Sequence, residues 1–166
     1  EAYFEVIKDT TAPFEVLTSD SRLRVLGTSF NVKSYPDDNK QITTLITGKV
    51  SESYLGVTEM VTLLPSQQVV YNRESHTYRV AIVNTREALA WKNGKIIMKN
   101  WRLEDIFREL ARWYTFDVTY QSEDLKDMIF HLNVDRYDDI EMVLEKLERT
   151  KGVKFTIKDS HVTVCK

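Results

Sequence analysis

The side chains best suited to chemistry are few and scattered. His76, His131 and His161 lie far apart with no H-x-x-x-H pair, and Cys165 has only His161 nearby and no C-x-x-C companion. The spacing that assembles a zinc or redox site is therefore missing. Asp37-Asp38 follow Pro36, and Asp138-Asp139 precede a helical pattern. Acidic residues serve a turn and a first helical turn in those places, so neither pair is read as a general acid and base. Serines are plentiful, but there is no G-x-S-x-G elbow. Gly27 has no second glycine at motif spacing and no helix behind it, so it cannot present a phosphate cradle. The expectation is no catalytic residue, no cofactor and no metal ligand; the chain reads as something that binds, not as an enzyme.

Composition sets the frame in which those residues must be placed. The 166 residues suffice for one domain with a sizeable core or for two small ones. Hydrophobic residues at 42% and charged residues at 29% are ordinary globular values. A formal net charge of −2 gives no reason to expect nucleic acid or anionic lipid as a direct partner. The single cysteine, Cys165, leaves the redox compartment open and reads as a small apolar residue on the last strand. No apolar run approaches the roughly 18 to 20 residues that span a bilayer, and there is no leader pattern. The chain starts at Glu1 without methionine and is strand-like almost at once, which reads as a soluble fragment of something longer.

The first half reads as strand after strand. Short β-like runs cover 2–7, 14–17, 23–26, 29–35, 42–46, 50–55, 61–64, 68–71 and 78–83. Turn chemistry separates several of them, at Ser19-Asp20, at Pro36 to Asn39, at Gly56 and at Asn72 to Ser75. Within 23–35, Gly27 parts two strands and suits a bend or a close backbone approach, while Phe30 and Val32 share one face. Gly48 is read as a second bend, and Pro65 as a strand end or turn. With no helical pattern between the runs, residues 1–90 predict an antiparallel β-sandwich or β-roll.

At Asn84 the pattern changes. Asn84 or Thr85 can cap a short helix through Leu89 and Trp91, and Asn93-Gly94 supplies a turn; the domain joint is placed here, with Trp91 as an apolar plug. Residues 91–166 then alternate strand and helix. Leu103, Ile106, Phe107 and Leu110 form one helical stripe, and Ile140, Val143, Leu144 and Leu147 form another 37 positions later. At that offset Phe116, Val118 and Tyr120 match Val153, Phe155 and Ile157, so the expectation is a β-α-β unit twice over. Asn100 is expected to cap the first helix, Asp138 and Glu141 to form a capping box for the second, and Gly152 to end it. Asp159-Ser160 should turn the chain into a final strand. The fold class expected is α+β.

Aromatic residues near the first of these helices exceed what its stripe needs. Trp113 and Phe116 can complete the core with the others half buried; alternatively Trp101, Arg112, Trp113, Tyr114 and Phe116 form a partner surface, since aromatics and arginine dominate interface hot spots. A free sheet edge could also accept a partner strand.

The run Val25-Leu26-Gly27-Thr28-Ser29-Phe30-Asn31-Val32, with Tyr35 after it, resembles the signature of the FecR family of membrane-spanning anti-sigma regulators. Leu45 to Val50 with Gly48, then Leu64-Pro65-Ser66-Gln67-Gln68, then Trp91-Lys92-Asn93-Gly94, resemble later landmarks of that family in the same order. Gly27, Thr28, Phe30, Asn31, Gly48, Pro65, Gln68, Trp91 and Gly94 are the motif positions, with structural roles implied. The two β-α-β units resemble the secretin and TonB short N-terminal fold. Two positions depart from the pattern: Met98 stands where phenylalanine is usual, and Ser66 where a Pro-Gly turn has glycine. The resemblance implies a periplasmic region anchored to the inner membrane by a transmembrane helix absent from this chain. It implies two partners: the periplasmic signalling domain of a TonB-dependent outer-membrane transducer, and a sigma factor held by an absent cytoplasmic segment. The alternative is an extracellular or periplasmic β-domain binding carbohydrate or another ligand, with the α/β module as a structural partner; an exposed coplanar aromatic strip would mark it.

Overall fold

The computed structural model describes residues 1–166, the side chain of Lys151 excepted. The chain divides into two units, Glu1–Leu89 and Ala90–Lys166.

The first unit is made of short strands because apolar residues alternate with polar ones between turns. Its strands are β1 (Ala2–Glu5), β2 (Phe14–Leu17), β3 (Ser21–Val25), β4 (Ser29–Ser34), β5 (Lys40–Thr47), β6 (Val50–Tyr54), β7 (Val61–Leu63), β8 (Gln67–Asn72) and β9 (Thr77–Ile82). They form two antiparallel sheets, β1-β4-β5-β8-β9 and β2-β3-β6-β7. Phe30, Val32, Leu45, Val69 and Tyr71 from the first sheet join Leu23, Val25, Val50, Val61 and Leu63 from the second in one buried cluster. The two antiparallel sheets thus share one buried core. At roughly 1.5–3 kcal/mol per fully buried large apolar side chain, this cluster is the main source of the unit's stability.

Gly27 and Gly48 meet in space. A Cβ on Gly48 would lie 2.5 Å from the Gly27 carbonyl oxygen, and Gly48 has φ +87°, so this crossing admits no side chain. Thr28 pins the crossing: its hydroxyl donates to the Lys49 carbonyl at 3.0 Å. Phe30 is fully buried, and the buried Asn31 donates through Nδ2 to Glu1 at 2.7 Å. Pro65 lies in a turn closed by the Gln67 amide donating to the Leu64 carbonyl. Ser66 adopts φ +67° there, the conformation for which a Pro-Gly turn keeps its glycine.

A polar network crosses the core of this unit. The Glu52 carboxylate, on β6, accepts from Ser21 of β3 at 2.8 Å and from Gln41 and Thr43 of β5 at 2.8 and 3.2 Å. Glu52 is 0% exposed, and burial pushes its carboxyl above the usual carboxylate range although these donors pull the other way.

Helix α1 (Thr85–Ala88) closes the first unit, with the Asn84 side chain accepting from the Arg86 amide. A 3-10 turn over Ala90–Asn93 opens the second unit, so the helix expected to run through Trp91 is broken at Leu89. Then follow β10 (Lys95–Arg102), α2 (Leu103–Leu110), β11 (Asp117–Tyr120), a 3-10 turn (Glu123–Asp127), β12 (Ile129–Asp135), α3 (Ile140–Lys151), β13 (Lys154–Lys158) and β14 (His161–Cys165). The helices start 37 positions apart, as do β11 and β13. Strands β10 and β12 pair antiparallel; in the other sheet, ordered β11-β14-β13, β11 runs parallel to β14 and β13 antiparallel to it. Leu103, Ile106, Phe107 and Leu110 of α2 and Val143, Leu144 and Leu147 of α3 are buried in one core with residues of both sheets.

Two capping expectations are corrected. Helix α2 starts from Arg102 with no side-chain cap; Asn100 sits instead at a β-bulge in β10 with φ +57°, a conformation asparagine tolerates. Helix α3 starts from Asp139, also uncapped by a side chain, because the Asp138 carboxylate accepts from Lys146 at 2.9 Å and from the Asp135 amide. Gly152 ends α3 in the left-handed conformation, and Asp159 and Ser160, both at positive φ, form the final hairpin turn.

Candidate functional site

Helix α2 ends in a short aromatic run, and the fold sorts its members by what lies beneath each. Phe116 turns inward and packs edge-on against Phe107, ring centres 5.8 Å apart. Arg112 is held close to the protein, its Nε 3.3 Å from the Glu109 carboxylate with both side chains nearly buried. Trp101 is half buried against the same core from β10. The Tyr114 hydroxyl donates to the Asp138 carbonyl at 2.8 Å, tying the end of α2 to the start of α3. Burial and the nearby Asp138 and Asp139 charges push that hydroxyl above the usual tyrosine range.

Trp113 differs from these. It is half buried, and the Arg136 guanidinium lies 4.6 Å from its ring centre. The same guanidinium lies 4.8 Å from the ring of Tyr137 and donates to the Tyr137 hydroxyl at 2.8 Å. Tyr137 is 78% exposed, and its ring passes Gly94, where a Cβ would come within 3.3 Å. Gly94 thus leaves room for Tyr137. Two rings and a delocalised cation make a preorganised surface patch, since the stack fixes side chains that would otherwise lose rotamer freedom on binding. Sequence reasoning found Trp113 but missed Arg136 and Tyr137. The signal was an Arg-Tyr pair in a turn after a strand, with no local role to occupy it.

The remaining motif residues hold the fold. Gln68 donates to the Thr44 hydroxyl at 2.7 Å across β5 and β8, and Trp91 lies in the 3-10 turn that opens the second unit. Aromatic stacking in the first unit is largely internal: Phe4 stacks on Phe30 and Tyr54 on Tyr71, and of these four rings Phe30, Tyr54 and Tyr71 are buried. Among the described residues, no group of three or more His, Cys, Asp or Glu side chains could hold a metal ion. No described helix is long and apolar enough to cross a membrane.

Residues 95–164 match the family model for the C-terminal domain of FecR. Two crystal structures of a candidate anti-sigma factor from Parabacteroides distasonis ATCC 8503 share the fold. The first, at 1.65 Å, has TM-score 0.88 and 24% identity, covering 99% of this chain and 76% of that one. The second, at 2.50 Å, has TM-score 0.87 at the same identity and coverage. No curated protein sequence matches the chain.

Proposed function

We propose that the chain, whose residues 95–164 match the family model for the C-terminal domain of FecR, is the periplasmic part of an anti-sigma regulator anchored in the inner membrane. In this reading a TonB-dependent outer-membrane transducer, having bound its nutrient, offers its periplasmic signalling domain to the second unit. The contact is passed along the chain to a cytoplasmic segment and alters that segment's hold on a sigma factor. The β-rich first unit acts as spacer or as sensor of the contact.

The observation that carries the reading is the Trp113–Arg136–Tyr137 stack, which presents arginine and aromatic groups together on the surface of the second unit. Such groups supply most of the energy of protein interfaces. The likeness in fold to a candidate anti-sigma factor agrees with it. The test is a full-length regulator lacking residues 95–166, assayed for nutrient-dependent transcription in cells. Loss of the response is expected; an intact response overturns the docking role.

A further inference from the structure

Strand β11 is the end strand of its sheet and has one neighbour, β14. The amides of Asp117 and Gln121 donate to the Ser160 and Val164 carbonyls at 3.0 and 2.9 Å. Backbone groups alternate sides along a strand, so the amides and carbonyls of Val118 and Tyr120 point away from β14. Residues of β11 and α2, with Lys126, line a groove of about 440 Å³ beside this strand. Phe107, Ala111, Phe116 and Val118 give its lining an apolar part, and Glu104, Arg108, Asp117 and Lys126 a charged one. A row of donors and acceptors repeating every second residue, roughly 6.6–6.8 Å, is matched by an extended chain and not by a helix or a compact ligand.

Charge at the groove mouth narrows the occupant further. Arg108 is paired with Asp105 at 3.0 Å and Lys126 with Glu123 at 2.7 Å. The exposed Asp117 carboxylate, by contrast, has no ion-pair partner among the described residues. A chain lying here would therefore be apolar at alternate positions and basic beside Asp117.

We propose that the β11 edge is a strand acceptor, and that an extended segment of the transducer's signalling domain, apolar at alternate positions and carrying a lysine or arginine opposite Asp117, adds to it as a fourth strand. This rests on the function proposed above and gives it a backbone contact that the Trp113 patch does not supply. Strand β11 carries neither proline nor a bulge, either of which would bar a further strand from pairing along it.

The test is amide exchange in the whole chain with and without the purified signalling domain, paired with two variants. Val118→Pro removes a donor from the free edge without breaking a bond to β14, and Asp117→Lys reverses the charge at the mouth. Exchange at Val118 and Tyr120 slowing at least tenfold on binding, with each variant weakening affinity at least tenfold, supports the acceptor edge. Should Val118→Pro fail to fold, the exchange readout and Asp117→Lys decide. A complex that forms while both amides exchange as before and Asp117→Lys binds normally overturns the edge and leaves the proposed function standing. Absence of any complex overturns both.

Discussion

The Arg136 guanidinium lies 4.6 Å from the ring centre of Trp113, joining residues 23 positions apart into one surface patch. Tyr114 makes that meeting possible, because its bond to the Asp138 carbonyl holds the end of α2 beside the start of α3. Arg136→Ala removes the cation while leaving the core untouched. The expected result is a loss of about 2 kcal/mol in binding to the transducer's signalling domain, close to thirtyfold in affinity, with an unchanged melting temperature. Titration calorimetry and a thermal scan of the same sample check both halves.

Glu52 predicts an unusual pH response. Burial holds its carboxyl above the unfolded range, so the native state binds this proton more tightly than the unfolded chain does. Its contribution is fully present below the unfolded carboxylate value and is lost as pH rises through the raised native value. Glu52→Gln keeps an acceptor for Ser21, Gln41 and Thr43 without the charge. The melting temperature of the variant relative to the parent should therefore climb as the buffer goes from about pH 5 to about pH 8. A constant gap would mean that the carboxyl is not under burial stress.

Ser66 sits at φ +67° in the Pro65 turn. Relief of the left-handed penalty, about 1–2 kcal/mol, outweighs the extra unfolded-state freedom of glycine, about 0.5–1 kcal/mol. Ser66→Gly should gain roughly 0.5–1 kcal/mol in urea unfolding of the first unit.

Leu144 is 4% exposed in the core of the second unit. Leu144→Ala should cost roughly 2–5 kcal/mol, the range for opening a cavity in a packed core. Chemical unfolding followed by a second-unit tryptophan reads it; a cost near zero would contradict the packing of α3.

Much of this fold was legible because periodicity is a local property. The stripes of α2 and α3 and their 37-residue offset needed nothing beyond the chain itself. Asn84 and Gly152 also cap as expected. Asn100 was misread because a bulge in β10 depends on its register with β12, which no single stretch encodes. The Asp138 capping box failed for a similar reason: Lys146, eight residues further along the chain, takes the carboxylate. Glu52 left a trace, sharing inward parity with Val50 and Tyr54, but its partners come from two other strands. The Trp113–Arg136–Tyr137 stack was half visible. Trp113 stood out as surplus aromatic, whereas Arg136 acquires its role only when the two helix ends meet.

The most direct test of the account is calorimetric titration of the whole chain with the periplasmic signalling domain of the TonB-dependent transducer. Binding at micromolar affinity or tighter, weakened by Arg136→Ala, is the predicted result. No heat of binding from two folded proteins would contradict the account, and would direct the search for a ligand to the β-rich first unit.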